Sequence, residues 1–321
     1  MIYSAHWFQG HLIRFMLFAT TSNGVYCCDV ARGQVQRILG NRHSAGLLKA
    51  EARGYFGIAR HTPTGRVLVA SRERSFARFS KLANNVKLHL IDPATLRSTL
   101  LASVGNVHDV HQIAWHDGHV FLTDTGKNRI VIYAPGDGSR KAVNAGGVRD
   151  DVNHVNVVLV HEEFLYVGLN NRGVEPAALL RLPLSELYAS LRNAEEIDIT
   201  TLAKRIGFDA LTYTHDLEPD ADGRLFASLS YEGCVFDVAD GRRILKVGDW
   251  TRGLAFGSRC LWVGTSALAG RKQRHSEKLD GGISLYSLPN LECMGRVVLH
   301  KAGQVNDLLY VEDDVQVTSF D

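Results

Sequence analysis

The chain has 321 residues, with 36 Lys and Arg against 34 Asp and Glu and a formal net charge of +2. That balance excludes a protein that holds nucleic acid through a global field, and no apolar run reaches the length of a membrane-spanning helix. Hydrophobic residues at 45% and 30 glycines point to one large core in a turn-rich, all-β chain.

In chain order, residues 1–14 read as a loose N-terminal tail, or as an overlong gene start with the protein beginning near Met16. Segments 16–20 and 24–30 predict a hairpin around Ser22-Asn23-Gly24, a strong turn signal. The clearest pattern lies between His111 and Tyr133. Residues 112–115 form a short apolar strand, His116-Asp117-Gly118 a turn, 120–123 a second strand, 125–128 a second turn and 130–133 a third strand. A three-strand meander cannot bury both faces alone, so copies must stack. Copies begin near Phe56, His154, His215, Arg252 and Asn306. Blade one is expected over residues 54–103, blade two over 106–147, blade three over 151–206, blade four over 215–248 and blade five over 250–301. Blade six starts at 304, continues into a second strand at 315–317, and takes its two outer strands from residues 15–40. One short helix is predicted at 185–192, N-capped by Ser185. The fold class is therefore all-β: a single-domain, six-bladed β-propeller over 1–321, closed by N-terminal strands so that no sheet edge is left open.

Five cysteines, an odd count without regular spacing, read as small buried residues of a reducing compartment rather than disulfides or metal ligands. Cys27 and Cys28 are adjacent and should face opposite sides of their strand. Nothing reads as a signal peptide, and a cytoplasmic location is expected.

The run Thr123-Asp124-Thr125-Gly126-Lys127-Asn128-Arg129-Ile130 resembles the turn of an NHL-type repeat. The other blades match that repeat only in their first two strands, so the resemblance implies a propeller and not an activity. Propellers of this kind include lyases, lactonases and plain binding modules.

In a propeller the first strand of each blade lines the central channel. Superposing the six starts brings Phe56, His111, His154, His215, Arg252 and Asn306 to one level. Three convergent imidazoles are a minimum set for a divalent ion such as Zn, Fe, Mn or Cu with an open position. Such an ion would polarise a carbonyl or activate water. The resemblance adds to this, because amidating-lyase and streptogramin-lyase propellers use central His with a metal, and His111, His154 and His215 are the matching positions. The same His can instead act as metal-free acid–base groups or line a wet channel. Asp109, Asp151 and Asp216 are candidates to fix their tautomers; His108 should point elsewhere. Arg252 can anchor a substrate carboxylate or phosphate, or pair with Asp307 or Asp216. Asn156, Asn306 and Phe56 complete the candidate substrate contacts. Two basic insertions, 71–85 with Phe76 and Phe79 and 266–282 with Arg271, Lys272, Arg274 and Lys278, are either a lid over the mouth or solvated loops.

The expected function is metal-assisted lyase or hydrolase chemistry on a small polar or anionic molecule, with His111, His154, His215 and Arg252 catalytic. The alternative is a non-catalytic propeller that binds a ligand or protein through the same mouth. No nucleic-acid or membrane partner is expected, and no nucleophile elbow, P-loop or complete dinucleotide fingerprint is present.

Overall fold

The structure is a computed structural model; it describes residues 7–8, 11–29, 32–40, 54–72, 85–146, 152–171, 175–207, 214–269, 273, 276 and 278–315. Residues 73–84 of the first basic insertion, including Phe76 and Phe79, and residues 270–272, 274, 275 and 277 of the second, including Arg271, Lys272 and Arg274, lie outside the described residues, as does Asp151.

Six antiparallel sheets follow one another along the chain. Blade one is Tyr55–His61, Arg66–Arg72, Val86–Ile91 and Ser98–Val104. Blade two is Ile113–His116, His119–Asp124, Arg129–Tyr133 and Arg140–Asn144. Blade three is Val155–His161, Phe164–Leu169, Ala178–Pro183 and Lys204–Gly207. Blade four is Thr214–Pro219, Leu225–Leu229, Cys234–Asp237 and Arg242–Lys246. Blade five is Trp250–Gly257, Cys260–Ser266, Gly281–Ser287 and Cys293–Leu299.

Blade six is assembled from both ends of the chain. Val305–Val315 is its inner strand and pairs with His11–Thr21, which continues into Gly24–Asp29 and Gln34–Gly40. The expected closure holds, with two corrections. The N-terminal segment supplies three main strands and not two, with the two-residue strand Trp7–Phe8 paired to His11–Thr21 as a fourth. Val315 ends the 11-residue strand Val305–Val315 instead of opening a second one; residues 316–317 lie outside the described residues. The long N-terminal partner pairs with that strand along its whole length.

The apolar runs explain the packing. In Val120-Phe121-Leu122, Val120 and Leu122 pack toward blade one while Phe121 packs toward blade three. Both faces of this second strand are buried, so its sequence reads as continuous rather than alternating. Apolar clusters fill every seam, including the one between blades six and one, where Met16 and Phe18 meet Tyr55, Ile58 and Val67. Cys27 belongs to that seam and Cys28 to the one between blades five and six, on opposite sides as expected. All five cysteines are free thiols.

The helix spans Leu184–Leu191 and buries Leu184, Leu187 and Leu191. It begins one residue earlier than expected, with Pro183 and not Ser185 at the N-cap, because Pro183 ends the preceding strand directly. After it, Glu196–Asp198 adds a parallel fifth strand to blade two, which ties blades two and three together. No described helix is long and apolar enough to cross a membrane.

Candidate functional site

The mouth of the ring is built by irregularities where the inner strands begin. Five of the six pairings between first and second strands carry a register shift there. The bulged residues include Gly57, Asn156, His215, Arg252 and Asn306. A bulge re-aims a side chain that strict alternation would send into a seam. That is how His215, Arg252 and Asn306 reach the axis.

Each imidazole is placed by its neighbours. The His111 and Gln112 amides donate to Thr123 Oγ1 at 2.8 and 3.1 Å. The NHL-like turn sets His154: Asn128, left-handed at φ 53°, accepts the Asn153 and His154 amides on Oδ1 at 3.0 Å each. Asp124, in the same turn, takes the His108 amide at 2.6 Å and the Arg129 guanidinium at 2.8 Å. His108 thus lies against Asp124, away from the axis, as expected.

The six residues of the expected level do come together. The rings of His111 and His154 are 5.4 Å apart, those of His111 and His215 6.3 Å, and those of Phe56 and His111 5.9 Å. Arg252 Nη2 donates to His215 Nε2 at 2.7 Å, and Nη1 reaches Asn306 Oδ1 at 3.5 Å. Asn306 Nδ2 donates to Tyr55 O at 2.8 Å, closing the ring from blade six to blade one. Asn156 Nδ2 donates to Thr214 O at 2.8 Å, so its amide serves the backbone of blade four.

Three further contributors join them: Arg72 was expected only as a basic residue of the first insertion, and Trp250 and Ser230 were not anticipated as site groups. Arg72 stacks on Phe56, 3.4 Å from the ring centroid, and pairs with Asp109. Asp109 Oδ2 is 3.6 Å from His111 Nε2, so one carboxylate steadies an arginine and an imidazole together. Trp250 stands 5.7 Å from the Arg252 guanidinium. Ser230 is the third: its Oγ is 2.7 Å from His215 Nδ1 and donates to Thr251 O at 2.5 Å.

A signal for Ser230 was present in the sequence. At or just past the end of each second strand come Arg72, Thr125, Asn171, Ser230, Ser266 and Ser22, all polar. The hydroxyls of Thr125, Ser230 and Ser266 each bond the backbone at the start of the next blade.

These contacts fix a tautomer. A guanidinium only donates, so His215 Nε2 must accept. The proton then sits on Nδ1 and goes to Ser230, whose own proton goes to Thr251. Both ring nitrogens of His215 are committed, and a cation occupies the side of the ring where a metal would bind. Among the described residues no cluster of three or more His, Cys, Asp or Glu is placed to hold a metal ion. The donor set in this arrangement does not fit an ion on all three His; Arg252 would first have to leave His215.

Beside the imidazoles lies an acidic layer. Asp216 accepts from Gln112 Nε2 at 2.5 Å, Leu217 N at 2.8 Å and Leu254 N at 2.5 Å. Asp307 accepts from Leu308 N at 2.9 Å and Ile58 N at 3.2 Å. Gln112 Oε1 takes the Val158 amide at 3.0 Å. These side chains tie the inner strands of blades two, four and six to blades three, five and one, and the oxygens of both aspartates serve backbone amides. Burial outweighs the donors and raises Asp216 to about 7. Burial, then the charges of Asp216 and Glu218, raise Asp307 well above the carboxylate range. Glu218 rises too, through burial and Asp216, although it keeps partial access to the channel.

No family model matches the sequence, and no curated protein matches it. Solved structures do. A nidogen/laminin complex chain aligns with TM-score 0.59 and 13% identity, covering 95% of this chain and 99% of that one. TolB from Acinetobacter baumannii aligns with TM-score 0.56 and 11% identity over 92% of this chain and 66% of that one. A proposed 6-phosphogluconolactonase from Bacteroides uniformis aligns with TM-score 0.52 and 14% identity over 90% and 83%. The fold is a six-bladed β-propeller. Identities this low carry the fold and nothing finer.

Proposed function

We propose that the propeller is an enzyme that holds a small anionic molecule at the mouth and acts on it by acid–base hydrolysis or elimination. The observation that carries this is Arg252: a 3% exposed guanidinium, aimed by His215, Asn306 and Trp250 at the imidazoles of the same ring. A buried guanidinium in a low-dielectric mouth is a strong receptor for a carboxylate or phosphate. With His215 committed to Arg252, proton transfer falls to His111, steadied by Asp109, and to His154. One of them would take a proton from the substrate or from an attacking water, and return it to the leaving oxygen. No step in this reading runs through a metal. Within propellers, the resemblance of the blade-two turn to an NHL-type repeat supports reading the chain as one of that type. The lactonase-like neighbour makes anionic lactones and esters sensible first substrates.

The test is turnover of a panel of small anionic esters and lactones by tag-free protein, with metal analysis alongside. Arg252→Ala should raise KM about tenfold or more, as loss of a buried charge-assisted contact does. His111→Ala or His154→Ala should lower kcat by about a hundredfold. Ser230→Ala should act through KM like Arg252→Ala, with Ser230→Thr restoring it. Saturable binding lost in Arg252→Ala, but without turnover, replaces the enzyme with a binding module. A stoichiometric divalent ion that is lost in His111→Ala replaces the metal-free chemistry.

A further inference from the structure

The seam between blades three and four opens on the face opposite the mouth. Elsewhere this seam is apolar: Val157, Leu159, Tyr166 and Leu179 pack against Leu217, Ala227 and Phe236. Toward the far face the pattern changes. The strand register places Tyr166 opposite Arg181, and Arg181 opposite Lys204, in one row across the sheet. Partners in an antiparallel ladder point to the same face, so two cations stand side by side where the row would otherwise close the seam. Like charges directly opposite each other destabilise a sheet.

The result is a cleft of about 600 Å³ lined by Tyr166, Ile206, Leu225 and Val238 and by Arg181, Lys204, Arg205 and Arg224. That volume falls in the range of small-molecule sites. Its walls are preformed. Arg181 stacks on Phe164 at 4.5 Å, and Arg224 is held by Asp237 at 2.5 Å and Asp240 at 3.0 Å. Arg205 stands 3.9 Å from Glu175. Asp222 also lines the cleft, and Glu162 lies close to its turn. Arg181, which also hydrogen-bonds Tyr166, and Lys204 form the adjacent pair whose repulsion an anion would relieve, above a floor of apolar side chains.

We propose that this cleft is a second ligand site, separate from the mouth, for a small anion with an apolar body, of the aryl phosphate or aryl carboxylate class. The anionic group lies between Arg181 and Lys204, and the body packs on Leu225, Val238 and Ile206. The proposal does not depend on the chemistry of the mouth.

Calorimetric titration with phenyl phosphate tests it, with inorganic phosphate as the control for charge alone. Phenyl phosphate should bind saturably and about tenfold more tightly than inorganic phosphate, since burying an aryl ring is worth at least 1.4 kcal/mol, a factor of about ten. Lys204→Glu, at an exposed position that leaves folding intact, should weaken it about tenfold or more. Arg252→Ala should leave it unchanged. The proposal is overturned if phenyl phosphate shows no saturable binding, if Lys204→Glu has no effect, if inorganic phosphate binds as well, or if Arg252→Ala removes the binding.

Discussion

Asp216, Asp307 and Glu218 show how a backbone requirement creates electrostatic tension. The two aspartates are there to accept amides that the bulges leave without ladder partners, at Leu217, Leu254, Leu308 and Ile58. Placing them around one axis brings their charges together in a region of restricted solvent. Burial raises Asp216 to about 7 and moves the other two upward as well. The folded state therefore holds protons that the unfolded chain releases near pH 4. The stability this contributes is fully present below that pH and is lost as pH rises through about 7. The melting temperature should accordingly fall between about pH 5 and pH 8 at constant ionic strength. Glu218→Gln, which removes one carboxyl from the cluster, should flatten that slope. A slope that is unchanged in the variant would show that these carboxyls do not share their protons.

At the scale of the element, the start of the inner strand is where the ring is tightest. Gly57 has φ +69°, and a Cβ there would lie 2.6 Å from Ile113 N and 2.9 Å from Gln112 C in the next blade. Gly253, at φ +78°, meets Leu308 in the same way, with Cγ at 2.9 Å and N at 3.0 Å. Gly57→Ala should cost about 2–4 kcal/mol, from left-handed strain plus a backbone clash that cannot relax. Gly118 has φ +76° in an open turn with nothing within 4 Å, so Gly118→Ala should cost only the strain, about 1–2 kcal/mol. Denaturant unfolding of the two variants separates packing from conformation. Sequence reading found the turn at Gly118 because Asp-Gly between two strands is a local signal. It did not find the bulge at Gly57, because a bulge is defined by a partner strand. It did place His215, Arg252 and Asn306 at one level, since register from blade to blade survives a bulge that nearly every blade shares. The contacts between those residues across the seams, such as Arg252 with His215, required the packing of one blade on the next to be known.

At the scale of the whole molecule, closure joins residues that are far apart along the chain: Thr20 pairs with Asp307, and Leu17 with Tyr310. Four strands, one of them only two residues long, come from one end and a single inner strand from the other, so the ring cannot close until most of the chain exists. Such long-range pairing predicts slow folding. A chain stopped at Gly303, without Val305–Val315, should leave His11–Thr21 as an open edge and expose the seam around Leu17 and Ala19. The expected outcome is loss of a single cooperative unfolding transition, with aggregation, read by calorimetry and light scattering. A cooperative transition at the full-length temperature would show that the closing strand is dispensable.

The number of blades, their order, the N-terminal closure and the convergence of His111, His154, His215, Arg252 and Asn306 could all be read from the residues. Each depends on local alternation and turn chemistry repeated along the chain, and repetition makes register visible. The tertiary structure decided what the converged residues do to one another. It set Arg252 against His215 instead of leaving three imidazoles for a metal, gathered carboxyls at the axis, and put Arg181 beside Lys204 at a seam. Those outcomes depend on distances between blades, and a sequence specifies such distances only through the packing of all its seams at once.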